Sequence, residues 1–156
     1  MVSRLQAEIK QKKPFRLLEE EAFVNLERTA DALLQGVAET LKADGLSPTQ
    51  YNVLRILRGA EPGGLACREI GERMINRDPD VTRLLDRLEA RRLVIRARHR
   101  EDRRVITTRI TAEGLRLLKG LDAPIAHAHT RQLGHLGRAR LRRLIDLLEL
   151  ARGQVG

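Results

Sequence analysis

Between Leu65 and Gly114 the apolar pattern changes twice, and that succession leaves few folds open. Leu65, Ile70 and Met74 recur at helical spacing in "LACREIGERM", and "INRDP" breaks the run. Asp78 and Pro79 then read as the N-cap and first position of a second short helix, "DVTRLLDRLEARRL". Val81, Leu84, Leu85 and Leu88 fall on one side of it. Two short helices joined by a tight turn predict a helix-turn-helix. The next stretch changes period. "LVIRAR" and "VITTRIT" are rich in β-branched residues and flank a polar tip, and Val105, Thr107 and Arg109 alternate with Ile106, Thr108 and Ile110. That is the pattern of a hairpin. Thr111 then caps a return to helix.

The flanks are helical. Phe15, Leu18, Ala22, Leu26, Leu33, Val37 and Leu41 recur at three, four and seven and predict one long helix over 15–42, stopped by Gly45. Ser47, Pro48 and Gln50 supply an N-cap, a first-turn proline and a capping box for a helix reaching about Arg58. After Thr111 a helix runs through "AEGLRLLKGLDAPIAHAH", with Pro124 expected to bend or split it. "GHLG" separates a last helix, "RARLRRLIDLLELAR". The whole is mainly α with a small β-hairpin wing: a winged helix-turn-helix with helices before and after it. The 156 residues suit one compact domain. Its regions are an N-terminal helix region (1–45), the winged helix-turn-helix (66 residues, 46–111) and C-terminal helices (112–156).

The charge is not spread evenly. Residues 1–65 carry nine basic and nine acidic groups, residues 66–111 thirteen and eight, and residues 112–156 eight and four, which sums to the net charge of +9. Six arginines (Arg96, Arg98, Arg100, Arg103, Arg104 and Arg109) lie on and beside the hairpin. A local basic excess on a folded module is the electrostatic footprint of a double-stranded DNA binder, and a solvated basic face kept for solubility is the alternative. With 2% aromatics, stacking of single-stranded bases is excluded as the main activity.

In a helix-turn-helix the second helix puts its N-terminal turn into the major groove. Arg77, Asp80, Thr82 and Arg83 lie in or beside that turn. Arg83 suits a bidentate fork to guanine and Thr82 a phosphate or a thymine methyl. Arg87, one turn on, reaches for the backbone. The competing use of Arg83 and Arg87 is pairing with Asp80, Asp86 or Glu89 on the helix surface. On the wing, Arg103 and Arg104 are the minor-groove candidates. Asp102 is expected to orient a neighbouring guanidinium, or else to serve only as a turn residue.

"DPDVTRLLDRLEARRLVIRARHREDRRVITTRITAEG" resembles the MarR family of winged-helix transcription regulators. The shared pattern is a Leu-Glu-x-x-x-Leu-Val-x-Arg run, a wing with Asp-Arg-Arg, and Thr-x-x-Gly opening the next helix. "GLSPTQYNVLRIL" matches the family's second helix, and the likeness covers about 15–150. The resemblance implies a homodimer whose first and last helices interleave, with one reading helix and one wing per subunit on a pseudo-palindromic operator. It places reading contacts on Asp78, Pro79, Asp80, Thr82 and Arg83, and the wing arginine on Arg104, oriented by Asp102. It also implies repression relieved by a small apolar or phenolic effector bound between dimer region and reading head. At Arg92 the chain departs from the pattern: the family often has glycine there in a left-handed conformation, which arginine adopts at a cost of about 1 kcal/mol. The segment before Phe15 is extra, and reads as a dimer arm, a DNA contact through Lys10, Lys12 and Lys13, or a frayed end.

A dimer is also expected from the residues alone. Leu141, Leu144, Ile145 and Leu148 form a stripe on a helix whose other face is basic. The long first helix has apolar residues on more than one side, including Leu17, Phe23 and Leu34, beside Phe15 and Leu18.

Other sites carry less. His127 and His129 are two apart and face differently on a helix, and His135 lies further on, so no metal set is expected. The single cysteine, Cys67, sits at the start of the first helix of the helix-turn-helix, where a redox role is a minor alternative. No nucleophile–base–acid constellation, phosphate loop or cofactor motif is present, so an enzyme is not expected. One cysteine, the lack of an apolar leader and the absence of any apolar run near about 18 residues point to a cytoplasmic protein off the membrane. The remaining alternatives are an interaction protein or sequence-blind DNA binder that keeps the fold, or a metal- or redox-sensing variant of the regulator.

Overall fold

The computed structural model describes residues 3–77 and 80–154. Contacts divide the chain into two units, Met1–Gly36 and Val37–Gly156.

The first unit opens with a helix, α1 (Arg4–Glu8). The segment read as a possible frayed end is therefore ordered. A complete capping box explains it: Gln6 N donates to Ser3 Oγ at 3.3 Å and Ser3 N donates to Gln6 Oε1 at 3.0 Å. Gln6 is buried and its Nε2 also donates to Lys13 O at 3.0 Å, which folds the following turn back. Glu8 is shared by Arg4 at 2.9 Å and Arg28 at 3.2 Å, and these partners hold its carboxyl below its ordinary pKa. The long helix α2 (Leu18–Leu41) starts three residues later than the apolar period suggests. Its first turn is Glu19-Glu20-Glu21, which suits the positive end of the helix dipole, while Phe15 precedes it.

In the second unit α2 ends in a 3-10 turn, Lys42–Asp44, closed by Gly45 at φ 64°. The terminal carbonyls of Asp44 and Gly45 accept from the Arg91 guanidinium at 2.8 and 3.0 Å. Helix α3 (Pro48–Gly59) begins on the expected Ser47–Gln50 box. Leu65 and Ala66, read as helix, form a short strand β1, so α4 (Cys67–Arg73) starts later. Helix α5 (Val81–Ala90) is capped by Asp80, not by Asp78; Asp78 and Pro79 lie outside the described residues. Strands β2 (Val94–Arg98) and β3 (Ile106–Ile110) form the hairpin. Helix α6 (Ala112–Leu133) then runs unbroken through Pro124, so the chain is not split there, with Pro124 on the exposed side and one backbone hydrogen bond forgone. A 3-10 turn, Gly134–Leu136, leads to α7 (Gly137–Gly153).

The sheet is antiparallel with order β1-β3-β2. Its register sets Leu65 against Thr108, Val94 against Ile110 and Arg96 against Thr108. Val94, Thr108 and Ile110 therefore face one way, onto a core in which Leu54, Leu57, Ile70, Leu85, Leu88 and Leu118 are fully buried. Burying each such side chain contributes roughly 1.5–3 kcal/mol, so this core is what fixes the angle between α5 and the hairpin.

The junction of α5, the sheet and α6 explains the Thr-x-x-Gly motif. Thr111 Oγ1 lies 2.7 Å from Arg92 O and 3.1 Å from Leu93 O, and accepts from Gly114 N at 3.1 Å. A Cβ at Gly114 would sit 2.5 Å from Leu93 O, so only glycine lets α6 approach. Arg92 keeps the left-handed turn despite not being glycine, with φ 60°. Its amide donates to Glu89 O at 2.9 Å and Leu93 N donates to Leu88 O at 3.0 Å, which closes the helix end. Arg92→Gly should therefore stabilise the protein by up to about 0.5 kcal/mol, the left-handed cost of about 1 kcal/mol removed less the entropy glycine adds to the unfolded chain. Urea unfolding of the two proteins checks this, and a lower midpoint for the glycine variant would show that the Arg92 side chain contributes more than its backbone costs.

Candidate nucleic-acid interface

Helix α5 presents its faces by simple periodicity. Val81, Leu85 and Leu88 turn to the core, which leaves Thr82, Arg83, Asp86 and Arg87 exposed. Asp80 Oδ1 accepts from Arg83 N at 3.1 Å, satisfying an orphan amide of the first turn. Arg77 is exposed just before the undescribed pair Asp78–Pro79.

The carboxylates beside Arg83 and Arg87 are not taken by them. Arg96, from β2, takes both Asp86 and Glu89: its Nη2 lies 2.7 Å from Asp86 Oδ1 and 3.0 Å from Glu89 Oε1. Its Nε and its backbone N also donate to Glu89 Oε2, at 3.3 and 3.1 Å. These bonds raise the Arg96 pKa and, led by the Arg96 side-chain hydrogen bond, lower that of Glu89. Among the described residues Arg83 and Arg87 have no ion pair.

The hairpin tip is a pinned turn. His99 N donates to Val105 O at 2.8 Å and Val105 N to Asp102 O at 3.0 Å. Asp102 Oδ1 accepts from the backbone N of Arg104 at 3.0 Å, so Asp102 holds the chain and not a guanidinium, which corrects the expected orienting role. The reason is proximity: an amide two residues on falls within reach of a short carboxylate before any flexible side chain does. Arg98 donates to Arg103 O at 3.0 Å. Arg109 pairs with Glu61 at 3.3 Å. Three of the six hairpin arginines, Arg96, Arg98 and Arg109, thus serve the fold. Arg100, Arg103 and Arg104 are exposed cations without an ion pair among the described residues. Arg96 is the site residue that residue-type reasoning missed. Its signal was the strand period: two residues from inward Val94, it had to point back toward α5.

A crevice of about 340 Å³ lies against the same elements, lined by Cys67, Thr82, Leu85, Arg96, Ile106 and Thr108 among others. Cys67 is exposed and its Sγ lies 3.8 Å from Thr82 Oγ1. His127, His129 and His135 are exposed, and among the described residues no three His, Cys, Asp or Glu side chains are grouped to hold a metal. No described helix is long and apolar enough to cross a membrane.

Apolar surface is left open on α2 and on α7. Leu18 is 79% exposed, and Leu17, Phe23, Leu26 and Leu34 are also exposed, while Phe15 is half-buried. On α7 no described side chain is buried; Leu141, Leu144 and Leu148 are half-buried, and Ile145, Leu147 and Leu150 are exposed.

Because Glu89 has a lowered pKa in the fold, its ion pair stabilises the protein fully above the ordinary carboxylate range. That contribution is lost as pH falls through the lowered value. Glu89→Gln should therefore melt below the unsubstituted protein at about pH 7, and the gap should narrow as pH falls below the ordinary carboxylate range. Paired thermal melts test this; a gap independent of pH would mean that Glu89 acts by packing and not by charge.

Comparison with known proteins gives one answer throughout. The family model described as "MarR family" matches residues 44–105, which spans α3 to the wing tip. The transcriptional repressor MdtR of Bacillus subtilis (strain 168) is 40% identical over 76 residues, 49% of this chain and 48% of MdtR, so the aligned stretch spans about half of that relative. A crystal structure of a MarR transcription factor from Planctomyces limnophilus is 44% identical, covering 88% of this chain and 99% of that one, with a TM-score of 0.67. CouR from Rhodococcus jostii RHA1, solved bound to p-coumaroyl-CoA, is 28% identical over 86% of this chain and 94% of CouR, with a TM-score of 0.71.

Proposed function

Given that the chain belongs to the MarR family, we propose that it is a sequence-specific transcriptional regulator that binds a pseudo-palindromic operator as a homodimer. The observation that carries this reading is the state of the arginines: Arg83 and Arg87 on α5, and Arg103 and Arg104 on the wing, are exposed and unpaired among the described residues. Cations kept free side by side on a rigid scaffold repel one another unless an anion comes between them.

In this reading the first turn of α5 enters the major groove. Arg77, Thr82 and Arg83 meet bases and phosphates there, with Asp80 holding the turn, and Asp78 and Pro79 lie beside it in sequence. Arg87 meets the backbone. Arg103 and Arg104 reach the minor groove from a tip whose shape Asp102 sets. The open apolar faces of α2 and α7, with Phe15, Leu18, Leu141, Leu144, Ile145 and Leu148, are the dimer contacts. Burying them would remove the exposed apolar surface described above. The protein acts in the cytoplasm as a repressor, released by a small apolar or phenolic effector. The relatives support this finer part by analogy: MdtR is named a repressor, and CouR holds an aromatic acyl thioester.

The deciding experiment titrates the protein against labelled duplex from its own upstream region, beside a scrambled duplex, at ~150 mM salt. A preference of about 10³-fold or more, with one dimer per site, is expected. Equal weak binding to both there, and to the fragments recovered in a genome-wide pull-down, would sink the specific-regulator reading. Arg104→Ala should weaken binding to operator and scrambled duplex alike and lower the salt slope by about one contact. An unchanged slope would take the wing off the DNA. Arg83→Ala should cost ~1–3 kcal/mol and relax preference at particular base pairs. A loss equal on every sequence would make it a phosphate contact instead.

A further inference from the structure

Helix α5 carries two carboxylates, Asp86 and Glu89, on the element proposed to meet DNA, among Arg83 and Arg87. Left alone they would do two harmful things. Each would repel the phosphates, and Asp86, three residues from Arg83, would draw that guanidinium along the helix surface. We infer that Arg96 is a positioning residue for DNA binding: by taking Asp86 and Glu89 onto β2 it keeps both carboxylates off Arg83 and Arg87 and out of the field the DNA meets.

The geometry favours this over a simple surface ion pair. One guanidinium spans two carboxylates at 2.7 and 3.0 Å, and a second contact to Glu89 comes from its Nε at 3.3 Å. The backbone amide of Arg96 adds a third bond to Glu89, so the carboxylate is held by strand as well as by side chain. The Arg96 side chain is 26% exposed, much less than Asp86 at 58%, so the cation is the fixed member of the group. Arg83 and Arg87 meanwhile have no ion pair among the described residues, though Asp86 stands three positions from Arg83. A lysine could not replace this arrangement, since a point charge lacks the planar fork that reaches two partners at once.

This inference rests on the DNA-binding reading above, and the test separates the two. Binding of the unsubstituted protein to operator and scrambled duplexes is measured first; no DNA binding there defeats the reading whatever Arg96 does. The inference is then tested by a thermodynamic cycle at ~50 mM salt: unsubstituted, Asp86→Asn/Glu89→Gln, Arg96→Met, and the triple variant, each checked for folding by circular dichroism. With Arg96 present, neutralising the carboxylates should change affinity by no more than about threefold, because they are already engaged. With Arg96→Met, binding should weaken about tenfold, and the same neutralisation should recover it. At ~300 mM salt the coupling should shrink, as screening shortens. An equal gain in both backgrounds would show independent charges and overturn the inference. So would a loss in the Arg96 background with no recovery in the triple variant, which is the result of a purely mechanical tie. Asn and Gln keep the acceptor atoms, so the Arg96 background decides alone if Arg96→Met does not fold: a gain of tenfold or a marked loss there rejects the inference.

Discussion

The hydroxyl of Thr111 holds together the corner on which the DNA-facing surface depends. It lies within hydrogen-bond distance of the last carbonyls after α5, at Arg92 and Leu93, and receives the amide of Gly114. Leu93 O also accepts from Thr111 N at 3.0 Å. One residue thus ties the end of α5, the start of β2, the end of β3 and the start of α6. The hydroxyl bonds add to that backbone bond at the margin of the core, each such bond contributing about 0.5–1.5 kcal/mol. Gly114 is bound to this corner because a side chain would strike Leu93 O. The angle between α5 and the wing follows from these contacts and from the leucines beneath them.

On that frame the arginines divide by task. Arg91 closes the end of the preceding helical turn, Arg96 holds two carboxylates, Arg98 holds the wing tip and Arg109 holds Glu61. What remains outside is a smaller set of cations than composition suggests, and it is concentrated on the first turns of α5 and the tip of the wing. The dense positive charge of residues 66–111 is therefore partly internal scaffolding, and its outward part has a definite place.

Much of this was legible from the residues. Caps at Ser47 and Thr111 stand where their spacing puts them, because a capping hydrogen bond is local and needs only three or four residues. The hairpin follows from alternation, and the inward leucines of α5 from the helical period. The misses have local physical causes. Leu65 and Ala66 are too short a run to show a strand period, and they become β1 only because β3 offers an edge. Pro124 does not break α6, since the bond it forgoes is on the exposed side and the buried residues of the helix hold it together. Asp80 caps α5 where Asp78-Pro79 had the better local signature.

By itself the sequence determined the helix-turn-helix, the hairpin, the long flanking helices and the family, because these rest on contacts between near neighbours and on periodicity. The family membership came from a linear pattern, Asp-Arg-Arg to Thr-x-x-Gly, that is short and contiguous. Only the tertiary structure decided which arginines are free. Arg96 and Arg98 look equivalent in the chain, as do Arg83 and Arg109. Whether each finds a carboxylate or a carbonyl depends on strand register and on the distance across the α5–β2 corner, and ion pairs form between groups that are near in space wherever they lie in the chain.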